Sequence, residues 1–185
     1  MDQGGLREVF YGSTQTVLTC SICPHSLVQQ AAISPLSLDL EPPVNRSVNQ
    51  CLEAFFTPAS ALDGYRCDSC GRVGTSTLSP SISAPPTILI IHLKRLFIGG
   101  EIQYQDGFGE ELDLNLYMTV KGDPLIYELI GVIEHIGSHK AGHCITFNRR
   151  EAAWNRCYNT IISQIALHDV LECQAYMLMY RAKTT

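Results

Sequence analysis

The sequence predicts an α+β domain, mostly antiparallel β-sheet with few helices. Three observations carry that expectation. Short alternating or β-branched runs recur along the chain, punctuated by Gly and Pro. One segment, beginning at Ser47, has a helical repeat. Two Cys-x-x-Cys pairs stand where hairpin tips would bring their sulfurs together.

The 185 residues suit one domain with a real core. Hydrophobic residues make up 45% and charged residues 17%, too apolar a balance for disorder. A net charge of -5 argues against nucleic acid or an anionic membrane as partner and suits a neutral or basic protein. No run of about 18 apolar residues suggests a membrane span. Met1 to Gly5 lacks the basic and apolar regions of a signal peptide, so an intracellular protein, cytoplasmic or nuclear, is expected. Its eight cysteines then meet a reducing environment, where metal binding or catalysis outranks disulfides.

Along the chain, Leu6 to Leu18 reads as one strand running into Cys20-Ser21-Ile22-Cys23. Ser37 to Leu40 alternates as a short strand, stopped by Pro42-Pro43. Ser47 caps a helix whose stripe is Val48, Cys51, Leu52 and Phe55, and Pro58 ends it. Cys51 on that stripe reads as a buried small hydrophobe. Cys67-Asp68-Ser69-Cys70 is a second knuckle, with Gly71 free to take a positive φ. The two knuckles are 43 residues apart. Cys20, Cys23, Cys67 and Cys70 are therefore expected to hold one structural Zn²⁺, with no open position for catalysis.

Gly74 to Pro86, rich in Ser, Thr and Pro, reads as a loop. Thr87 to Leu93 reads as a strand buried on both faces, with His92 a hydrogen-bonded core residue. Lys94-Arg95 then reads as a charged pair at the surface or in an ion pair. Glycines 99, 100, 107 and 109 mark turns around an alternating Ile102 and Tyr104. Leu112-Asp113-Leu114 is short and extended, and Tyr127 to His135 is a long alternating strand.

His135, His139 and His143 stand four residues apart, a metal-binding spacing on a helix. Gly137 and Gly142 and the flanking strand patterns favour a loop between two strands instead. His143, opening a strand after a glycine, is the candidate general base. Asn159 or Asp169 downstream could orient it. Cys144 is a poor nucleophile for His143, because neighbours on a strand point to opposite faces. Cys157 and Cys173 have no motif around them.

In order, these pieces resemble the ubiquitin-specific proteases, deubiquitinating cysteine peptidases of papain-like fold. The resemblance runs from about Leu6 to Arg181. It rests on Phe10-Tyr11-Gly12, Leu38-Asp39-Leu40, the Ser47 to Phe55 helix, both knuckles and Pro86 to Arg95. It continues through Leu112-Asp113-Leu114, Tyr127-Glu128-Leu129, His135-Ile136-Gly137, Gly142-His143, Trp154 and Ala175 to Tyr180. The resemblance implies zinc-ribbon fingers over about residues 8–86 and a palm over about residues 87–182. It implies that the knuckles hold the fingertips that grip ubiquitin, that residues 136–141 border the channel for ubiquitin's tail, and that His143 is the catalytic histidine.

The departures are specific. The thumb and its nucleophile box, which precede the fingers in that family, are not in this sequence. Cys144 replaces the usual Tyr after the histidine, and Leu96 replaces a Phe. Counted without gaps from Trp154, Tyr158 takes the third catalytic position; a slip of one residue puts Asn159 there. The expected function is thiol-dependent hydrolysis at the ubiquitin C-terminus, with this chain inactive alone. The alternative is a non-catalytic ubiquitin-binding scaffold.

Overall fold

A computed structural model describes residues 5, 9–41, 47–97, 100–102, 107–138 and 141–183. Strand β1 (Gly12–Cys20) turns through the first knuckle into β2 (Ser26–Ile33), and β3 (Leu36–Asp39) follows. Helix α1 (Val48–Phe56) leads to β4 (Ala59–Arg66). The second knuckle then turns the chain into β5 (Val73–Ala84). Strand β6 (Ile88–Lys94) precedes the small β7 (Leu96–Phe97), β8 (Gly100–Glu101) and β9 (Glu111–Asp113). A 3₁₀ turn (Asn115–Tyr117) leads to the long hairpin of β10 (Ile126–Ser138) and β11 (Ala141–Arg150). Strands β12 (Ala153–Tyr158) and β13 (Ile161–Ile165), helix α2 (Leu167–Leu171) and β14 (Ala175–Ala182) complete the chain.

The strands form two main sheets. A four-stranded sheet runs β2-β1-β5-β4 and is antiparallel throughout. A larger sheet runs β13-β12-β11-β10-β14-β6-β3, with β9 also paired to β10. Its one parallel pair is β3 on β6. Thus β3 and α1, from the first half of the chain, join the second sheet.

The core lies on one face of the larger sheet. Leu36, Leu38, Leu89, Ile91, Leu93, Val132, Ile145, Phe147 and Leu178 are all buried there. Helix α1 closes over it with Val48, Cys51, Leu52 and Phe56. The helix starts as its sequence dictates: the Ser47 hydroxyl accepts a hydrogen bond from the Gln50 N–H at 3.2 Å.

Five places differ from the sequence reading. Val9 and Phe10 are helical rather than extended, and the strand begins only at Gly12. On α1 the buried stripe ends on Phe56, whereas Phe55 is 38% exposed. Residues 74–86 are not a loop: β5 occupies most of that span and is central in the small sheet. Its Ser and Thr residues serve a sheet with water near both faces, and Pro80 sits opposite Thr16 within it. Strand β6 is buried on one face only, since Leu89, Ile91 and Leu93 are inside while Ile88, Ile90 and His92 are half-buried. Arg95 is not at the surface: it is 1% exposed and donates from Nε to the Ala175 carbonyl at 2.6 Å and from Nη1 to that of Ile102 at 2.9 Å. Carbonyls from two segments accept from the buried cation. Lys94 pairs with Asp39 at 2.9 Å. Tyr104 and His139 lie outside the described residues, as do glycine 99 and Met1 to Gly4.

Candidate functional site

The four knuckle cysteines converge at one end of the small sheet. Cys20 closes β1, Cys23 lies in the turn to β2, and Cys67 and Cys70 lie between β4 and β5. Their ligand atoms all lie within 4.8 Å of one another. In a tetrahedral thiolate site with Zn–S near 2.3 Å, sulfurs stand about 3.8 Å apart. The Cys23 and Cys67 sulfurs are 3.7 Å apart.

The backbone prepares the site. The Ile22 N–H points at the Cys20 sulfur at 3.4 Å. Gly71, at φ 67°, lets its N–H close back on the Cys67 carbonyl at 2.9 Å. Gly74 makes room for the opposite knuckle, because a Cβ there would stand 2.7 Å from Ile22 Cδ1. Sequence reading assigned Gly74 to a loop; the signal it missed is this close approach.

The thiols differ. Backbone N–H groups, first that of Cys70, hold the Cys67 thiol down to about 6 against the opposing effect of burial. At Cys23 the His25 backbone N–H pulls downward, but burial and hydrogen bonds to Cys67, Cys70 and Cys20 outweigh it and push the thiol to about 12. One thiolate forms readily among neighbours that resist a second, and a divalent cation would relieve that resistance. The four cysteines fit one zinc ion, and they are the one metal-capable group among the described residues.

His143 stands on the exposed part of β11, opposite Ile136 of β10. Two glycines let the hairpin close around it. A Cβ on Gly137 would meet the Ala141 carbonyl at 2.5 Å, and one on Gly142 would meet the His135 ring at 2.3 Å. His135 faces Cys144, whereas His143 faces Ile136. Strand alternation therefore puts the two histidines on opposite faces of one hairpin. The expected loop is shorter than the sequence implied, since both residues lie within strands.

On the His135 face, His135 and Tyr176 have ring centroids 6.1 Å apart, and Tyr176 meets His92 edge-on at 5.0 Å. His92 Nδ1 lies 3.2 Å from the Ser37 hydroxyl, so the expected hydrogen bond is present, but the residue is half-buried on the face away from the core. Burial, then Lys94, lowers its pKa.

On the other face, the His143 ring meets Tyr158 edge-on, with centroids 6.2 Å apart and planes at 79°. Phe147 faces Arg156 across β11 and β12, so alternation puts Tyr158 on the His143 face. The Arg156 guanidinium lies 5.6 Å from the Tyr158 ring centroid. Asn159 is the next residue, exposed, at φ 52° in the turn to β13. Asn is among the few side chains at ease in that conformation. Among the described residues, no side-chain hydrogen bond joins His143 to Asn159 or to Asp169. Asp169 lies in α2.

The cysteines outside the knuckles do not line up with His143. Cys144 alternates away from it. Cys157 faces Thr146, on the Cys144 side, and accepts from Asn148 Nδ2 at 3.3 Å. Cys51 is buried under α1. Cys173 is buried, and burial pushes its thiol to about 12.

Residues 2–180 match the profile of the ubiquitin carboxyl-terminal hydrolases. The chain belongs to that family. Ubiquitin carboxyl-terminal hydrolase 25 of Arabidopsis thaliana is 33% identical over 184 residues, covering 95% of this chain and 27% of that protein. Human ubiquitin carboxyl-terminal hydrolase 42 is 30% identical, covering 94% of this chain and 13% of its own length. Yeast ubiquitin carboxyl-terminal hydrolase 8 is 28% identical, covering 95% and 41% respectively. The solved SAGA Ubp8/Sgf11/Sus1/Sgf73 DUB module bound to ubiquitin aldehyde superposes at TM-score 0.88 with 25% identity. That match takes in 99% of this chain and 43% of the neighbour. The same module bound to monoubiquitin superposes at 0.89 with 26% identity, taking in 96% and 42%. This ubiquitin carboxyl-terminal hydrolase-family chain thus spans less than half the length of the relatives it matches. Its fold is the family's mostly antiparallel one, with the four-cysteine ribbon. Among the described residues, no helix is long and apolar enough to cross a membrane.

Proposed function

We propose that this chain is the ubiquitin-holding and histidine-bearing part of a deubiquitinating cysteine peptidase. The small sheet, about residues 8–86 less β3 and α1, grips the body of ubiquitin as fingers. The larger sheet presents His143 as the general base, and the hairpin around residues 136–141 borders the path of ubiquitin's C-terminal tail. The likeness to two ubiquitin-bound structures over nearly the whole chain carries this reading.

In the reaction, His143 takes the proton of a cysteine thiol. The thiolate attacks the isopeptide carbonyl, the lysine amine leaves with that proton, and water releases ubiquitin from the thioester. Asn159 is the amide nearest in sequence to the family's third position, and from its turn it makes no side-chain hydrogen bond to His143 among the described residues. The thiol comes from outside this chain, because none of its eight cysteines pairs with His143. An intracellular setting, cytoplasmic or nuclear, fits the substrate.

A second reading, a non-catalytic ubiquitin-binding module, is favoured by one observation: an aromatic ring, Tyr158, stands against His143 where an orienting carboxylate or amide is expected. A ubiquitin–fluorophore cleavage assay on the chain alone tests the first point. The expected result is saturable binding without cleavage. Cleavage abolished by Cys144→Ala or Cys157→Ala would overturn it. A partner segment supplying a thiol then separates the two readings: turnover lost in His143→Ala supports the peptidase, and no turnover supports the scaffold.

A further inference from the structure

We propose that the small sheet pairs with a second copy of this chain, edge to edge through β2. Strand β2 is the outermost strand of that sheet and pairs on one side only, with β1. Ser26 to Ala32 are all exposed, and Leu27 and Val28 are 56% and 53% exposed. The strand SLVQQAAI has no charge, no proline and no glycine. Exposed edges of soluble sheets normally carry such devices, because a row of open N–H and C=O groups recruits another strand.

Of the other edges, that of β4 is interrupted, and those of the larger sheet are shorter, although β13 also exposes Ile161 and Ile162. Strand β4 breaks register between Ala61 and Tyr65, with Gly64 at φ 86° and the charged Arg66 at its end. An open head-to-tail sheet, β2 onto β4, is thereby blocked, which leaves the closed two-fold arrangement. In the larger sheet, β13 is five residues long and β3 is four. Strand β3 carries the Asp39–Lys94 ion pair.

The sequence of β2 also matches itself. Every second residue of a strand points its N–H and C=O to the same edge, and antiparallel partners must both point inward. Two copies can therefore pair only about an axis through a residue. An axis on Gln29 sets Leu27 against Ala31 and Val28 against Gln30. An axis on Gln30 sets Val28 against Ala32 and Gln29 against Ala31. In either arrangement two glutamine amides meet at the axis and no like charges oppose; the Gln30 axis also sets Leu27 against Ile33. The dimer would carry one continuous eight-stranded sheet with a zinc cluster in each half.

Light scattering and sedimentation of the zinc-loaded chain under reducing conditions, over a range of concentrations, provide the test. The expected species has twice the chain mass of 20.5 kDa. Gln29→Lys with Gln30→Lys puts cations across either axis and should return the mass to that of one chain, with zinc content and circular dichroism unchanged. Hydrogen exchange of the wild type supplies a reading that needs no variant: outward amides of β2 should be protected when concentrated and should lose protection on dilution. A wild type that stays monomeric at every concentration overturns the proposal. So does a dimer that survives the lysines, that shows no protection in β2, or that is dissolved by Ile162→Lys on β13 instead.

Discussion

The two sheets of this molecule are held together by different physics. In the larger sheet, alternation along β3, β6, β11 and β14 delivers one buried face, and α1 covers part of it. In the small sheet, β1 is mostly half-buried and β2 is exposed over seven of its eight residues. Ile33 and Ile82 join the common core, but little other apolar surface leaves water there, so burial contributes less than in the larger sheet. The cysteines at the sheet's end supply what the core does not, since metal binding to a site that forms only on folding is itself folding free energy. A chain of this size can thus contain one unit that folds on its core and another that folds on its metal.

Removing the metal should break the comparison open most widely. Chelation, or Cys67→Ser, forfeits a binding free energy of about 10–16 kcal/mol as measured in zinc-finger peptides. Amide exchange should then accelerate throughout β1, β2, β4 and β5. Trp154, the one tryptophan of the chain, is 4% exposed in the larger sheet and should keep its emission. Simultaneous loss of both signals would show that the sheets are one cooperative unit.

Truncating the core should do the reverse. Ile91→Ala should cost about 2–5 kcal/mol, read as a lower thermal midpoint by Trp154 fluorescence. Zinc content of the folded protein should not change.

Alkaline pH should also weaken the larger sheet. Burial holds the Tyr127 phenol up to about 12, where it donates to the Pro86 carbonyl, and the Cys173 thiol is likewise pushed to about 12. Both pKa values are raised above their unfolded values of 10.0 and 9.0. Their stabilisation is therefore complete below about pH 9 and is lost as pH rises toward 12. The urea midpoint reported by Trp154 should fall over that window; a midpoint flat between about pH 8 and 11 would contradict the burial of these groups.

The smallest change is at a helix end. Ser47→Ala should cost about 1 kcal/mol through loss of the Gln50 cap, visible in the same unfolding curve.

The same contrast explains what was legible in the sequence. Helix α1 could be read because its cap and apolar stripe are local signals, and the metal site because thiolate spacing is chemistry rather than packing. Strands β2 and β5 were not foreseen. Strand β2 faces water on both sides, and β5 buries only Ser76 and Ile82, so neither shows the alternation that a one-sided core imposes. Arg95 could not be read either, because its acceptor on Ala175 lies 80 residues away in sequence. Around His143 the sequence offers Tyr158 and Asn159 as neighbours. Only the pairing of β11 with β12 reveals that Tyr158 shares the histidine's face while Asn159 serves the turn.

In the proposed function the two sheets act on one molecule. The metal-held sheet grips the body of ubiquitin, and the core-held sheet presents His143 to its tail. Calorimetric titration of the zinc-loaded chain with ubiquitin, repeated after chelation, tests this division most directly. The predicted result is saturable binding that disappears with the metal while Trp154 emission persists. Absence of binding by the zinc-loaded chain, or binding that survives loss of the metal, would contradict it.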